Sequence, residues 1–289
     1  MKTRILAFAG AKQAGKSTFS NFLHGYQLRA QEVVQDFAIA ENGKLVVKTE
    51  VIEDGKTQIG ETFLDTSRKD PDFVEWAMYN MWPFVKKYSF ADTLKEIGMT
   101  LFDLSYEQVY GSEAYKNQLV EHLRWENMPG VVTPESKGNI QGKWNAEMLG
   151  IVLHESGPMT VREFLQFFGT EVCRKIYSPI WVNRTIKDIQ QEEPLLAVVD
   201  DCRFENEIRA IQKAGGKVIG LTRKPSKDDH GSERVIEQHS DILDAIIDNQ
   251  NMEILDVCKS IITQLDEWGW LGAQTITNNT KGLHTIKGK

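Results

Sequence analysis

The sequence is poor in the features that mark secreted, zinc-binding and membrane proteins. Only three cysteines occur among 289 residues, Cys173, Cys202 and Cys258, and no two of them have CxxC spacing. This pattern argues against a disulfide framework or a zinc site and favours a reducing cytoplasm. No apolar run approaches the roughly 18 residues that span a bilayer. Residues 5–9 are apolar but run directly into a glycine loop, so they predict a buried strand rather than a signal peptide.

The chain also lacks an excess of positive charge, because its 34 Lys and Arg residues are outnumbered by 41 Asp and Glu residues, which gives a net charge of −7. Proteins that hold nucleic acid by neutralising its phosphates are usually basic, so the composition disfavours a nucleic-acid partner. Hydrophobic residues make up 41% of the chain and charged residues 26%, which is typical of globular proteins. The length fits two average domains or one α/β domain with insertions.

Apolar runs that alternate with helical segments predict an α/β fold. Residues 203–214 have a helical pattern and lie between two such runs, and a strand–helix–strand unit of this length joins parallel strands. We therefore expect a mostly parallel sheet with helices on both faces. The predicted strands are residues 5–9, 195–199, 217–221 and 245–247.

Three stretches depart from this alternation. Residues 36–79 contain the turn signals Asn-Gly at 42–43 and Asp-Gly at 54–55, which predict a β-hairpin excursion. Residues 128–143 are rich in Gly, Pro, Ser and Asn and predict a loop insertion. The polar tail, residues 271–289, is expected to be loosely held.

A helix is expected to begin after Thr160. Thr160 and Glu163 have the spacing of a capping box, in which each side chain bonds the other residue's backbone N–H. Arg162 and Gln166, four residues apart, would share a polar flank of this helix. The opposite face would be formed by Val161, Phe164, Leu165 and Phe168.

The most specific motif is residues 10–17, which match G-x-x-x-x-G-K-S and are followed by Thr18. An apolar strand precedes the motif and a helical segment, residues 16–29, follows it, as a phosphate-binding loop requires. Backbone N–H groups of the loop and the helix N-terminus would hold an anion. Lys16 would reach the outer phosphates of a nucleoside triphosphate, and the Ser17 hydroxyl would bind Mg²⁺.

Two carboxylates, Asp200 and Asp201, follow the predicted strand 195–199, at the edge of the sheet where ligands bind in open α/β folds. An aspartate there can hold Mg²⁺ or accept a proton, or it can merely cap the following helix. We assign the functional role to Asp201 and the capping role to Asp200.

Other polar and aromatic residues are less specific. Arginine suits the binding of phosphate because its planar guanidinium group pairs two oxygens at once, although any single arginine can equally be a solvated surface charge. The candidate arginines are Arg162, Arg174, Arg203 and Arg223. The polar stretch around residues 230–233 is a candidate lid, and we assign no chemistry to His230. An aromatic run could stack on a base, but packing is the favoured interpretation; its members are Trp76, Tyr79, Trp82, Phe84 and Tyr88.

Several segments, in the same order along the chain, resemble bacteriophage deoxynucleoside monophosphate kinases, which are P-loop kinases. The resemblance is spread over most of the chain but does not cover residues 36–86 or 128–143. The matching segments are residues 10–18, 89–95, 160–174 with Trp181, 199–207, 215–223 and 230–233.

The resemblance implies a P-loop NTPase fold and transfer of the γ-phosphoryl group of ATP to a (deoxy)nucleoside 5′-monophosphate, with ATP and Mg²⁺ as cofactors. The host cytoplasm would be the location if the chain is phage-encoded. The monophosphate would be the partner, no membrane is involved, and a homodimer stays open. The corresponding division is a kinase core of residues 1–35 and 84–270, an inserted hairpin and helical segment of residues 36–83 that would serve the substrate or act as a lid, and the tail.

The resemblance also implies roles for individual residues. Lys16, Asp201 and Arg203 would be catalytic, and Ser17 and Asp201 would hold the metal. ATP would contact Gly10, Lys12, Ala14, Gly15, Lys16, Ser17, Thr18 and Arg223. The acceptor would contact Lys95, Arg162, Gln166, Gly169, Thr170, Arg174, Trp181, Asp201 and Glu207.

Two alternatives remain at this point. The chain could be a P-loop kinase for another acceptor, either a modified base in DNA or a small metabolite. It could also be a regulatory protein that binds a nucleoside triphosphate and phosphorylates nothing, although such a protein would not need the second set of arginines.

Overall fold

The computed structural model describes residues 3–53, 56–133, 152–223, 235–270 and 285–286. The chain forms two compact units, the first made of Met1–Phe90 with Val182–Lys289 and the second of Ala91–Trp181. The strands are β1 (Arg4–Gly10), β2 (Asp36–Ala40), β3 (Leu45–Glu53), β4 (Lys56–Leu64), β5 (Val85–Tyr88), β6 (Leu119–Arg124), β7 (Val131–Val132), β8 (Val152–Leu153), β9 (Pro158–Thr160), β10 (Leu196–Cys202), β11 (Lys217–Leu221), β12 (Ala245–Ile247) and β13 (Thr285–Ile286).

Helices occur in both units and one of them, α7, crosses the boundary between the units at Trp181. The helices are α1 (Lys16–Ala30), α2 (Pro71–Asn80), α3 (Asp92–Leu101), α4 (Tyr106–Tyr110), α5 (Glu113–Lys116), α6 (Val161–Phe167), α7 (Ile180–Glu192), α8 (Glu205–Lys213), α9 (Val235–His239) and α10 (Ile254–Glu267).

A five-stranded parallel sheet forms the centre of the first unit, in the order β12-β11-β1-β10-β5. Strand β1 is buried at every residue after Arg4, as expected for a strand covered on both faces. Leu6 and Phe8 of this strand pack into one core with Phe22 of α1 and Ile261 of α10. This confirms the predicted α/β fold with a mostly parallel sheet flanked by helices.

A second sheet lies in the first unit, where residues 36–79 were predicted to form a hairpin. Strands β2, β3 and β4 are antiparallel neighbours, and β13 adds to the edge beside β2. Gly43, in the first predicted turn, has a φ of 80°, a value that favours glycine. The second predicted turn, residues 54–55, lies outside the described residues.

This sheet shares its core with the parallel sheet. Phe37 and Leu45 belong to the same buried cluster as Phe8, and the ring centroids of Phe37 and Phe22 are 5.9 Å apart. The apolar faces of β2 and β3 therefore cover helix α1. Residues 36–83 accordingly belong to the same compact unit as the phosphate-loop strands.

The second unit has its own core, built around α6. Thr160 and Glu163 form the predicted capping box, and the helix continues into a π-helical stretch, Phe168–Arg174. Val161 and Phe164 are buried, with Leu165 and Phe168 packed partly buried against the same cluster. The predicted apolar face is confirmed.

Several predicted features fall on residues that the structure does not describe. They are residues 134–143 of the predicted loop insertion, residues 224–234, which include the candidate lid, and residues 271–284 and 287–289 of the tail. Across the described residues, no helix is long and apolar enough to cross a membrane.

Candidate nucleotide site

The glycine loop between β1 and α1 has the backbone that its sequence predicts. Gly15 sits immediately before α1 with a φ of 99°, and Gln13 has a φ of 61°. A Cβ atom on Gly10 would come within 2.8 Å of the Leu221 carbonyl oxygen, so a side chain there would push against the neighbouring strand β11. The loop thus needs glycine at both ends to turn from the sheet edge into the helix.

The Lys16 ammonium group is held over this loop. Its Nζ donates hydrogen bonds to the carbonyl oxygens of Gly10 and Ala11, both at 2.7 Å, and the residue is buried. Ammonium groups placed at a loop and a helix N-terminus suit the oxygens of a bound phosphate. The neighbouring Lys12 and Ser17 are exposed, so a nucleotide can reach both side chains.

Asp200, rather than Asp201, lies beside the phosphate loop. The Ser17 hydroxyl donates to Asp200 Oδ2 at 2.9 Å, and Asp200 is only 7% exposed. The capping role expected for Asp200 is wrong, because the N-cap residue of α8 is Phe204, whose backbone N–H donates to Glu207. The contact that supports a metal site therefore involves Ser17 and Asp200.

Asp201 instead anchors the segment that follows β5. Its Oδ2 accepts a hydrogen bond from Ser89 Oγ at 2.5 Å, and its Oδ1 accepts one from the Phe90 backbone N–H at 3.0 Å. Strand β10 continues through Cys202, and the separate partners of the two aspartates show that their side chains point in different directions. The metal-binding and catalytic roles of Asp201 stay predictions beside these contacts.

Glu207 and Arg203 meet at the start of α8. The Glu207 carboxylate accepts hydrogen bonds from the backbone N–H groups of Arg203 at 2.8 Å and Phe204 at 3.1 Å. Glu207 is 2% exposed, so this buried carboxylate holds the backbone at the start of the helix, and its substrate role stays a prediction. Beside it, burial raises the pKa of the Cys202 thiol well above its usual value, so Cys202 is no nucleophile at neutral pH.

Two polar residues at this edge of the sheet were missed from the sequence. Lys87, on β5, places its Nζ 3.1 Å from Asp200 Oδ2. Asn249, two residues after β12, is 2% exposed and donates from Nδ2 to the Ala14 carbonyl at 2.9 Å. Its Oδ1 accepts from the Arg223 backbone N–H at 2.9 Å, while the Arg223 side chain is exposed. A single lysine or asparagine at a strand end has no local pattern, so only the fold identifies them.

Thr18 contacts the second sheet. A Cβ atom on Gly43 would lie 2.3 Å from Thr18 Oγ1, so the turn between β2 and β3 packs directly against this hydroxyl. Asn21, one helical turn further, donates from Nδ2 to the Gly43 carbonyl at 2.9 Å. The N-terminal turns of α1 are thus held from the side by the β2–β3 turn.

The residues expected on the acceptor side belong to the second unit, on α3, α6 and the π-helical stretch. Arg162 Nη2 donates to Glu113 Oε2 at 2.5 Å, while its Nε is buried and has no hydrogen-bond partner among the described residues. Gln166, on the same flank, and Thr170 are exposed. Lys95 Nζ lies 4.5 Å from the centroid of the Tyr110 ring.

Trp181 and Gly169 contact each other in the same unit. The Trp181 indole N–H donates to the Gly169 carbonyl at 3.1 Å, and Trp181 is 4% exposed. A Cβ atom on Gly169 would meet Leu94 at 2.6 Å, so this glycine lets α3 approach the π-helical stretch. Trp181 therefore supports the backbone of this region, in which Arg174 also lies.

The oxygen donors near the loop fit a magnesium ion. Mg²⁺ prefers one or two carboxylates together with hydroxyl, water and phosphate oxygens. The Ser17 hydroxyl and the Asp200 carboxylate supply such donors 2.9 Å from each other. No cluster of three or more His, Cys, Asp or Glu occurs in the described part of the chain, so a dedicated all-protein metal cage is not found there.

The parallel sheet, its glycine loop and the carboxylate at its edge define an α/β protein of the P-loop kinase type. Comparison with protein families gives the particular family. The model of the deoxynucleotide monophosphate kinase family matches residues 86–260, and this chain belongs to that family. The match begins after the glycine loop, so the loop itself rests on its own sequence and geometry.

One curated relative is a protein of Acanthamoeba polyphaga mimivirus named "Putative deoxynucleotide monophosphate kinase". It is 27% identical to this chain over 184 residues, which cover 59% of this chain and 78% of the mimivirus protein.

Proposed function

We propose that this protein transfers the γ-phosphoryl group of ATP to a deoxynucleoside 5′-monophosphate and so forms the diphosphate. The observation that carries the proposal is the hydrogen bond from Ser17 to the buried Asp200, beside the glycine loop, in a chain of the deoxynucleotide monophosphate kinase family. In this site the loop would bind the donor nucleotide, and Ser17 with Asp200 would hold Mg²⁺ against it.

The donor side needs charge neutralisation more than covalent chemistry. Backbone N–H groups of the loop and the N-terminus of α1 would bind the phosphates, and the Lys16 ammonium would move from the carbonyls of Gly10 and Ala11 onto phosphate oxygens. Bound Mg²⁺ would supply further neutralisation of the charge that develops on the transferring group. Each of these groups favours departure of ADP as the leaving group.

On the acceptor side, an oxygen of the monophosphate attacks the γ-phosphorus, the bond to the bridging oxygen of ADP breaks, and the phosphoryl group moves to the acceptor. Arginine suits the acceptor phosphate because its fork pairs two oxygens at once and stays charged. We assign this role to Arg162, with its unpartnered Nε, and to Arg174. Lys95, Gln166 and Thr170 complete the proposed acceptor contacts.

The test is a panel in which ATP and Mg²⁺ are incubated with each common or modified deoxynucleoside monophosphate and the products are separated. We expect a diphosphate and an equal amount of ADP from at least one acceptor. Lys16→Ala should abolish the transfer, whereas Lys259→Ala, on an exposed face of α10, should leave it unchanged. A blank panel from a protein that still binds ATP would refute the proposed acceptor class. Oligonucleotides and small metabolites would then be the next acceptors to test.

A variant of the acceptor side separates substrate binding from ATP binding. Arg162→Ala should raise the KM for the monophosphate about tenfold or more, since a charged hydrogen bond contributes about 1.5–3 kcal/mol. It should leave ADP affinity without acceptor unchanged. The matched control is Lys175→Ala, an exposed cation in the same unit. Normal acceptor kinetics in Arg162→Ala would remove Arg162 from the site.

A further inference from the structure

Lys87 shares an oxygen with the proposed metal site. Its Nζ lies 3.1 Å from Asp200 Oδ2, and that same oxygen accepts the hydrogen bond from Ser17 at 2.9 Å. Strands β5 and β10 pair in parallel with Lys87 opposite Val198, which brings Lys87 to this edge of the sheet. The Asp200 side chain is 7% exposed and that of Lys87 is 24% exposed.

A carboxylate this deeply buried needs a nearby positive charge, because an unpaired buried ion is strongly destabilising. His24 interacts electrostatically with both Lys87 and Asp200, but burial lowers the pKa of His24 to about 4. His24 is therefore neutral at pH 7 and does not compensate the charge of Asp200. Lys87 supplies a positive charge at hydrogen-bonding distance from the carboxylate.

The same oxygen cannot serve an ammonium group and a metal ion equally well. A positive charge at 3.1 Å from Asp200 Oδ2 repels a cation that approaches this oxygen, and the repulsion is strong where water is largely excluded. The same charge attracts the phosphates of a nucleotide that arrives without a metal. Lys87 therefore favours the metal-free nucleotide and opposes Mg²⁺.

We infer that Lys87 is a positioning residue that holds the Asp200 carboxylate beside Ser17 and competes with Mg²⁺ for it, so that Lys87 sets how strongly Mg²⁺ and nucleotide binding are coupled. The inference rests on the proposed function only in taking this site to bind a magnesium nucleotide. It does not depend on the identity of the acceptor.

The preceding residue on the same strand provides a matched control. Lys86 Nζ contacts Glu192 Oε2 at 2.6 Å and lies 4.3 Å from the centroid of the Trp82 ring. Because side chains alternate along a strand, Lys86 and Lys87 point to opposite faces of the sheet. A change at Lys86 removes the same charge from the protein but not from Asp200.

The experiment measures ADP binding by titration calorimetry, without any acceptor, once with excess Mg²⁺ and once with EDTA. The Kd for ADP in EDTA divided by the Kd for ADP with Mg²⁺ measures the coupling between metal and nucleotide binding. Lys87→Met should raise this ratio at least fivefold, because the bare Asp200 charge repels ADP in EDTA and attracts Mg²⁺ when it is present. Lys87→Arg and Lys86→Met should keep the wild-type ratio.

A double variant ties the effect to Asp200 and guards against misfolding. In an Asp200→Asn background the coupling should fall towards one, and adding Lys87→Met there should change it less than twofold. This double variant buries no uncompensated charge, so it should fold even where Lys87→Met alone does not. An unchanged or smaller ratio in Lys87→Met would overturn the inference, as would an equal effect of Lys87→Met with and without Asp200.

The outcomes also separate this inference from the proposed function. A protein that binds ADP with Mg²⁺ and shows the predicted ratios, yet phosphorylates no deoxynucleoside monophosphate, supports the role of Lys87 and refutes the acceptor. A wild-type protein that binds no ADP with Mg²⁺ refutes both.

Discussion

Asn249 joins three loops at the carboxyl edge of the parallel sheet, and its removal is the sharpest structural test of the nucleotide site. Its amide group donates to the Ala14 carbonyl of the glycine loop and accepts from the backbone of Arg223, which follows β11. Asn249 itself follows β12. Asn249→Ala therefore disconnects the glycine loop from its two neighbours while leaving every residue of the loop in place.

The cost of this change can be worked from the two bonds. The Ala14 carbonyl lies in a buried residue, so losing its partner costs about 1–3 kcal/mol. Arg223 is exposed and water can replace its partner, so that loss costs about 0.5–1.5 kcal/mol. The sum is about 1.5–4.5 kcal/mol. At roughly 2–4 °C per kcal/mol for a protein of this size, Tm should fall by about 3–18 °C.

Two measurements check this prediction: the Tm by calorimetry and the affinity for ADP with Mg²⁺. Both should fall in Asn249→Ala, because the loop loses the bond that fixes the Ala14 peptide. The control is Gln250→Ala, since Gln250 is the next residue and is exposed. Asn249→Asp keeps the acceptor for Arg223 but turns an oxygen towards the Ala14 carbonyl, so it should resemble alanine in ADP affinity. If Asn249→Ala melts and binds ADP as the wild type does, the positioning role is refuted.

Two further predictions concern the second unit. Thr160→Ala removes the hydroxyl that accepts from the Glu163 backbone N–H at 3.1 Å. It should lower the free energy of unfolding, measured in urea, by about 0.5–2 kcal/mol, whereas Thr160→Ser should keep most of the wild-type value. The Gly157 N–H and then Arg124 lower the pKa of Glu126 to about 2, so Glu126 contributes stability above its unfolded value near 4.5, and this contribution is lost as the pH falls towards 2. Glu126→Gln should therefore reduce the fall in Tm between pH 5 and pH 2. The control is Glu121→Gln, which changes an 82% exposed side chain and should leave that fall as it is in the wild type. Equal curves of Tm against pH for the wild type and Glu126→Gln would contradict this account.

The features predicted correctly from the sequence are those that local pattern determines. Strand β1, the following helix and the capping box at Thr160 each lie within a few residues, so periodicity and spacing suffice to place them. The parallel sheet follows from short apolar runs separated by helices. These elements would be expected to form in the same way in many different surroundings.

The partners of Asp200 and Asp201 were not predicted because they depend on where a strand ends. The predicted strand stopped at Val199, whereas β10 continues to Cys202, and its pairing with β1 changes register between Ala7 and Ala9. Between the pairs Ala7–Val199 and Ala9–Cys202, β10 has one residue more than β1, and one extra residue exchanges the sides on which the following side chains lie. Strand ends are fixed by pairing with distant segments, which no local pattern contains.

Lys87 and Asn249 illustrate a second limit. Lys87 meets Asp200 only because β5 and β10 are neighbours, although 112 residues separate Ser89 from Asp201 at the same edge. Asn249 meets Ala14 across a separation of 235 residues. Contacts of this kind are products of topology, so they are found from the structure and not from composition or spacing.

The strand order also has a consequence for the synthesis of the chain on the ribosome. Strands β1 and β5 are made early, but they are not neighbours, because β10 lies between them and β11 lies on the other side of β1. The central sheet therefore has no adjacent pair of strands until residue 196 and beyond have emerged, by which time residues 91–181 have been synthesised completely. We expect the second unit to fold first. The phosphate loop should acquire its shape late, when β10 pairs with β1 on one side and β5 on the other.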